Sequence, residues 1–312
     1  MTAFILRRLW QMLPTMLGVV LLVFFLFNWV GGDPAYVLAG KITSPEQIAN
    51  IRKQLGLDEP LWVQLWIFIQ QIATVDFGAS WSTGENVGSI LSSRLGPSLT
   101  VLIPLQILEV LISVALALAV AYVRGTLTDR LLMISCTVGM SISILVYIIV
   151  FQYFFAYQLG WFPVQGWGEH WLQNLYRYAA LPILIALAVS IAPNLRLYRT
   201  FMLDEISQDY VRTARAKGLS ENRILWVHVL RNAAIPIITH VMANLPAMLI
   251  GAFLIERFFS IPGIGREVIM AVERADFPVI KAITVYVACA TMAFNLLADI
   301  LYRLVDPRVQ LQ

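Results

Sequence analysis

The chain has 312 residues, 59% of them hydrophobic and only 13% charged, with a formal net charge of +3. A soluble domain carries about 25% charge, so this composition leaves too little polar surface to cover its apolar groups in water. The small net charge argues against a nucleic-acid partner. Cys136 and Cys289 both lie inside apolar runs, which argues against a disulfide framework and, without a Cys/His cluster, against a zinc site.

A bilayer-crossing helix needs about 20 apolar residues, and about six segments qualify: 9–30, 98–123, 131–157, 179–198, 233–255 and 279–302. The fold class expected is an all-α polytopic membrane protein. Arg7 and Arg8 precede the first segment, as in a secretory signal, but the apolar run exceeds the roughly 7–15 residues of a signal h-region. It reads as a retained helix. If the N-terminus is cytoplasmic, the inner segments hold the larger share of Lys and Arg, including Arg124, Arg130, Arg196, Arg199 and the cluster from Arg212 to Arg231. That bias fits both termini lying inside.

Residues 31–97 form the long outer loop. In "SPEQIANIRKQLGL", Ser44 is placed to cap a short helix, with Pro45 in its first turn and Gly56 just past its end. In "EPLWVQLWIFIQQI", Leu61, Leu65, Phe68 and Ile69 share one apolar face beside Trp62 and Trp66. Such a helix lies on the membrane surface or packs at the rim of the crossing helices. Further on, Trp161, Trp167 and Trp171 cluster as an interfacial aromatic belt does.

Polar groups inside the spans stand out. Glu109, Asn295 and Asp299 interrupt apolar runs, and a mid-bilayer carboxylate costs on the order of 3 kcal/mol on the translocon scale. Glu109 therefore either lines a transport path or makes a helix-to-helix hydrogen bond, and Asp299 is placed to pair with Arg303, its i+4 neighbour. Pro104, Pro182, Pro193, Pro236 and Pro246 free backbone carbonyls within the spans, as in helices around a protein-lined interior. The chain lacks a G-x-x-x-x-G-K-[ST] phosphate loop, an H-E-x-x-H pair and a G-x-S-x-G elbow, so it carries no motif for ATP binding or hydrolytic chemistry.

Between the fourth and fifth spans runs "DYVRTARAKGLSENRI". Asp209 or Ser207 can cap a helix from about Tyr210, and Gly218 can end it in a left-handed conformation. Val211, Ala214 and Gly218 fall at i, i+3 and i+7, a stripe of modest side chains, while Arg212, Arg215 and Lys217 project elsewhere. Ser220 can cap a second helix, with Glu221 in its first turn. The residues alone leave two readings open: a helix that docks another protein, or a solvated connector.

The stretch "YVRTARAKGLSENRILWVHVLRNAAIPIIT" resembles the cytoplasmic signature of ABC-importer inner-membrane permeases of the dipeptide/oligopeptide/nickel branch. The general signature has an E-A-A triplet, a glycine after three further residues, and then I-x-L-P. Here the triplet position reads Arg212-Thr213-Ala214, Gly218 matches, and the L-P position reads Leu230-Arg231. R-T-A-R-A-K-G is similar to this branch's own form. "GDPA", "LGLDEPLWVQ", "DFGAS", "LGWFP", "IERFFSIPGIGREV", "DFPVI" and the closing "DPR" extend the likeness along nearly the whole chain, with Val75 standing where the family often has glycine.

The resemblance implies a type I ABC importer permease-like bundle in the bacterial inner membrane: a single permease domain over 1–312 with a cytoplasmic coupling segment at 199–232. Its implied partners are a second homologous permease, two cytoplasmic ATPase subunits that bind ATP and Mg, an extracytoplasmic solute-binding protein and membrane lipid. This chain itself holds no cofactor or metal and is not an enzyme. Val211, Arg212, Ala214, Arg215, Lys217 and Gly218 match the coupling helix that meets an ATPase groove, and Glu109 is the candidate for lining the path. Peptides are the expected cargo, with nickel chelates and glutathione as relatives' alternatives. The competing reading is an ion-coupled secondary transporter or a channel.

Overall fold

The computed structural model describes residues 2–30, 35–36, 44–54, 56–249 and 253–305. Among these, the backbone is helical almost throughout, and the only pairing of extended residues is an isolated antiparallel bridge between Ala79 and Asn86. In chain order the main helices are α1 (Thr2–Phe25), α2 (Pro45–Gln54), α3 (Leu61–Thr74), α4 (Val87–Tyr122), α5 (Leu127–Ser141) and α6 (Ile144–Phe151). Then follow α7 (Ala180–Ile206), α8 (Asp209–Ala216), α9 (Leu230–Leu249), α10 (Phe253–Phe258), α11 (Ile264–Glu273) and α12 (Phe277–Val305).

Among the described residues, five helices are long and apolar enough to cross a membrane: Leu6–Asn28, Val87–Tyr122, Ala180–Ile206, Glu221–Leu245 and Phe277–Ile300. The pair Leu127–Ser141 and Ile144–Gln158, bent by 93° at its break, makes a sixth candidate when the two are taken as one broken span. Large apolar side chains face outward along these helices, with Trp10 72% and Leu111 62% exposed. Lipid rather than water is the solvent that accommodates them.

Five of the six expected crossings are single helices with shifted bounds, and the third is the bent pair. α4 begins at Val87 instead of 98 because Asn86 accepts from the Ser89 N–H at 3.3 Å and so starts the helix early. The fifth crossing starts at Glu221, and part of its expected end falls on residues 250–252, outside those described. The third, expected as one run, breaks at Ile142–Ser143. Ser143 caps α6 by accepting from the Leu145 N–H at 3.3 Å, and the Tyr147 hydroxyl donates to the Gly139 carbonyl at 3.1 Å. These bonds supply inside the chain what hydrocarbon cannot.

The chain divides into two compact units, each with its own core. The first comprises Met1–Ser98, Leu249–Phe253 and Pro262–Leu296. Val20, Val23 and Phe24 of α1, Phe68 of α3, Val87 and Ile90 of α4, and Val279, Ala282 and Ile283 of α12 are buried together there. α2 has the expected start: Ser44 Oγ accepts from the Gln47 N–H and Gln47 Oε1 from the Ser44 N–H, both at 3.4 Å. That reciprocal pair is a capping box, and Gly56 follows the helix at φ 65°. α3 turns Leu65, Phe68 and Ile69 inward but leaves Leu61, Trp62 and Trp66 exposed.

The turn between α11 and α12 anchors the 76–86 loop in this unit. Asp276, 2% exposed, accepts from Ser80 Oγ at 2.5 Å, Ser82 Oγ at 2.7 Å, and the Trp81 and Ser82 N–H groups at 3.1 and 3.3 Å. Nearby, Arg94 of α4 pairs with Glu267 of α11 at 3.0 Å. Ser98 Oγ accepts from the Ile264 N–H at 2.8 Å, satisfying one of the open donors at the start of α11.

The second unit comprises Leu99–Met248, Leu254–Ile261 and Leu297–Gln312. Ala117 and Leu118 of α4, Cys136 of α5, Leu195, Tyr198 and Met202 of α7, and Val229, Ala233 and Ile237 form its core with α8. Thr126 caps α5 by accepting from the Asp129 N–H, and Asp129 in turn accepts from Gly125 N–H at 2.9 Å. Arg199 of α7 holds the same carboxylate with two bonds of 2.9 and 2.7 Å. The 159–170 loop is tied down by Asn174, which exchanges two hydrogen bonds with Gly168, and by Gly166 donating to the Phe259 carbonyl. On that loop Trp161 stays exposed, as does Trp171 just after it, and Trp167 is half-buried.

Two outcomes test this description. Asp276→Ala removes the acceptor shared by four donors, the buried Ser80 hydroxyl among them, and should lower stability by about 3 kcal/mol, read as a lower unfolding midpoint in detergent with faster proteolysis of the 76–86 loop. Val75, at φ 56° and 72% exposed at the end of α3, sits in the left-handed region where its branched side chain is strained. Val75→Gly relieves that strain and should raise stability by about 1 kcal/mol. A lower midpoint for this variant would contradict the turn described.

Candidate coupling segment and intramembrane polar groups

α8 starts differently from the expectation. Gln208 occupies the cap position without a side-chain cap bond, Ser207 Oγ donates backwards to the Asp204 carbonyl at 2.8 Å, and Asp209 lies within the first turn. The exposed Asp209 carboxylate takes Arg212 at 3.2 Å, an exposed i,i+3 pair of little energetic weight. The helix end follows the expectation: Lys217 is the C-cap and Gly218, at φ 78°, makes the left-handed corner. Ser220 stands at the next cap position, with backbone extended but no side-chain cap bond.

Of the stripe of modest side chains, Val211 and Ala214 face inward, while Gly218 is exposed. Val211 is fully buried and Ala214 is 6% exposed, in the same cluster as Ile206, Ile224, Leu225 and Val229. The neighbours that these small residues admit are therefore residues of the same chain. Outward face Arg212, Thr213, Ala216, Lys217 and Gly218. A Cβ placed on Gly218 would meet nothing within 4 Å, so only its backbone conformation restricts the position.

Two side-chain links brace this corner. The Tyr210 hydroxyl donates to Glu205 Oε2 at 2.7 Å, tying α8 to the end of α7. Burial, with a smaller push from the Glu205 carboxylate, raises the phenol to about 12, so it stays a protonated donor at any physiological pH. Across the glycine, Arg215 grips Glu221 with bonds of 2.5 and 3.0 Å. That fork holds the two helices at the corner, and Glu221, the dominant cause, raises the Arg215 pKa further.

Within the spans of the second unit, Glu109 of α4 is half-buried and accepts a hydrogen bond from the Asn194 side chain of α7. One turn on from Asn194, the Tyr198 hydroxyl lies 3.4 Å from His240 Nδ1, and His240 Nε2 lies 3.0 Å from the Asn244 amide. Ser113 Oγ, one turn beyond Glu109, is buried and has no hydrogen-bond partner among the described residues. Pairing of Asp299 with Arg303 falls on a side chain outside those described. Among the described residues no group of three His, Cys, Asp or Glu could hold a metal ion.

Three groups that organise the structure were not singled out from the sequence. Asn194 follows Pro193 in an apolar run, and its polarity at that depth was the available signal. Thr126-x-x-Asp129 is a capping-box pattern. Asp276 had no local signal, since its partners lie about two hundred residues earlier.

The family model described as the binding-protein-dependent transport system inner membrane component matches residues 112–311, and the model for the N-terminal part of such membrane components matches residues 1–101. A probable peptide ABC transporter permease of Sinorhizobium fredii is 36% identical over 99% of this chain and 100% of its own length. The glutathione transport system permease GsiC of Salmonella typhimurium is 35% identical over 99% of both chains. A putative peptide transport system permease of Brucella abortus is 34% identical, again over 99% of both. With its apolar helices, this chain is thus a multi-pass inner-membrane translocation subunit rather than an enzyme, and ATP hydrolysis resides in a separate subunit. The chain belongs to the inner-membrane components of binding-protein-dependent transport systems, the permeases of ABC importers.

Proposed function

We propose that this chain imports di- or oligopeptides as one of two homologous permeases that share a path, driven by two cytoplasmic ATPase subunits and supplied by an extracytoplasmic solute-binding protein. ATP and Mg bind the ATPases and no cofactor binds this chain. The peptide reading is supported by the names of the relatives, two of them peptide permeases and one a permease for glutathione, itself a tripeptide. Both termini and α8 are assigned to the cytoplasm, and residues 31–97 to the outer side, on the positive-inside bias.

One observation carries the coupling assignment: α8 is rooted in the second core through Val211 and Ala214 while it offers Arg212, Lys217 and the Gly218 corner outward. A docking ATPase meets that outward face, with Arg215 holding the corner rigid against Glu221. Val211 and Ala214 act from within, by fixing the helix. Glu109 has one oxygen on Asn194 and remains half-buried, and we assign it to the path.

Extraction in mild detergent should bring down a second permease and an ATPase with a phosphate loop, and uptake in liposomes should require ATP. Recovery of this chain alone, with ATP-independent uptake, would replace the importer mechanism by ion-coupled transport. In the assembled complex, Gly218→Val should keep the fold and cut uptake per ATP hydrolysed by about tenfold, because a branched residue resists φ 78°. Gly218→Asn, which tolerates that conformation, should retain most of it; equal uptake for Val and Asn places the interface elsewhere. Glu109→Gln keeps a hydrogen-bonding partner for Asn194, so it should leave stability unchanged and slow uptake by several-fold, about 1 kcal/mol in rate terms. Unchanged uptake makes Glu109 a structural link alone.

A further inference from the structure

The first unit contains a cavity of about 280 Å³ walled by the rings of Phe24, Phe68, Phe77 and Trp81. Lys281, from the first turns of α12, also lines it. Its ammonium lies 5.8 Å from the centre of the Phe27 ring and 5.4 Å from that of Phe68. Aromatic faces at such distances attract the charge, but they do not use the three N–H donors of an ammonium. Among the described residues no carboxylate pairs with Lys281 and no oxygen accepts its hydrogen bonds.

The other polar groups of the wall are arranged unequally. Gln64 is committed, donating to the Leu57 and Glu59 carbonyls at 3.1 and 2.8 Å, and the Asn28 amide donates to the Phe24 carbonyl at 3.0 Å. The Gln71 side chain has no hydrogen bond within the described residues and also lines the cavity. The cavity therefore presents one positive charge and uncommitted N–H donors, surrounded by aromatic rings.

We propose that this cavity binds a small organic carboxylate bearing an apolar group. A carboxylate accepts hydrogen bonds through both oxygens and donates none, which matches the ammonium and the Gln71 amide. A cation is repelled by Lys281, and a neutral amide brings no charge to offset it. The volume falls just under the roughly 300 Å³ at the small end of ligand pockets, so it takes a body of about one amino-acid residue rather than an extended peptide. The site stands on the first unit alone and does not depend on which cargo the importer carries.

The probe is N-acetyl-leucine, compared with the uncharged N-acetyl-leucinamide, on the purified full chain in phosphatidylcholine nanodiscs by saturation-transfer NMR. The acid should bind and the amide should be weaker by about tenfold or more, the effect of one ionic contact. Lys281→Gln should reduce acid binding to the level of the amide, and Lys281→Arg should retain it. Equal binding of acid and amide to the unaltered chain overturns the proposal without recourse to any variant, and so does undiminished acid binding by Lys281→Gln. A cavity holding water alone would give no acid signal at all, and that result also overturns it.

Discussion

Hydrocarbon offers no hydrogen bonds, so every backbone N–H and carbonyl placed in it must be answered from within the chain. Long helices meet that demand by themselves, and the remaining structure is arranged around the places where they fall short. At the break between α5 and α6, Ser143 and Tyr147 answer the exposed backbone groups. Glu109 and Asn194 answer each other. Pro193 sits one residue before that pair, so the irregular and the polar positions of α7 coincide.

At the starts of α5 and α12 the same requirement is met by buried carboxylates that collect several donors. Asp276 gathers two hydroxyls and two N–H groups from the 80–82 turn. Asp129 joins a helix start to a guanidinium of α7. Each joins a loop or helix end to an element distant in sequence, and each is nearly fully buried. A carboxylate saturated in this way fixes geometry, since losing one donor leaves a charged oxygen exposed to an apolar surrounding.

What was legible in the sequence was local. Ser44, Pro45 and Gly56 mark α2 within a dozen residues, and Gly218 marks the α8 corner by a conformational need that any chain shares. The spans were legible through composition, although their limits were not, because a helix such as α4 continues past the apolar run when a polar cap like Asn86 supports it. The inward direction of Val211 and Ala214 was hidden, since a stripe of small residues looks the same whether its neighbour is another protein or the next turn of its own chain. The aromatic-walled cavity was hidden for a similar reason: Phe24, Phe68 and Lys281 come together only in the folded unit.

The division of α8 into a buried side and an exposed side has an evolutionary consequence. Val211 and Ala214 are constrained by their own core, where a change of one methylene is felt. Arg212, Thr213 and Lys217 are under no such constraint from this chain. If α8 docks an ATPase as proposed, lineages can rewrite the outward residues to follow a diverging partner without repacking the helix beneath them. Compatibility between subunits of related transporters then becomes a trait that drifts and is re-matched on the surface, while the architecture that displays it stays still.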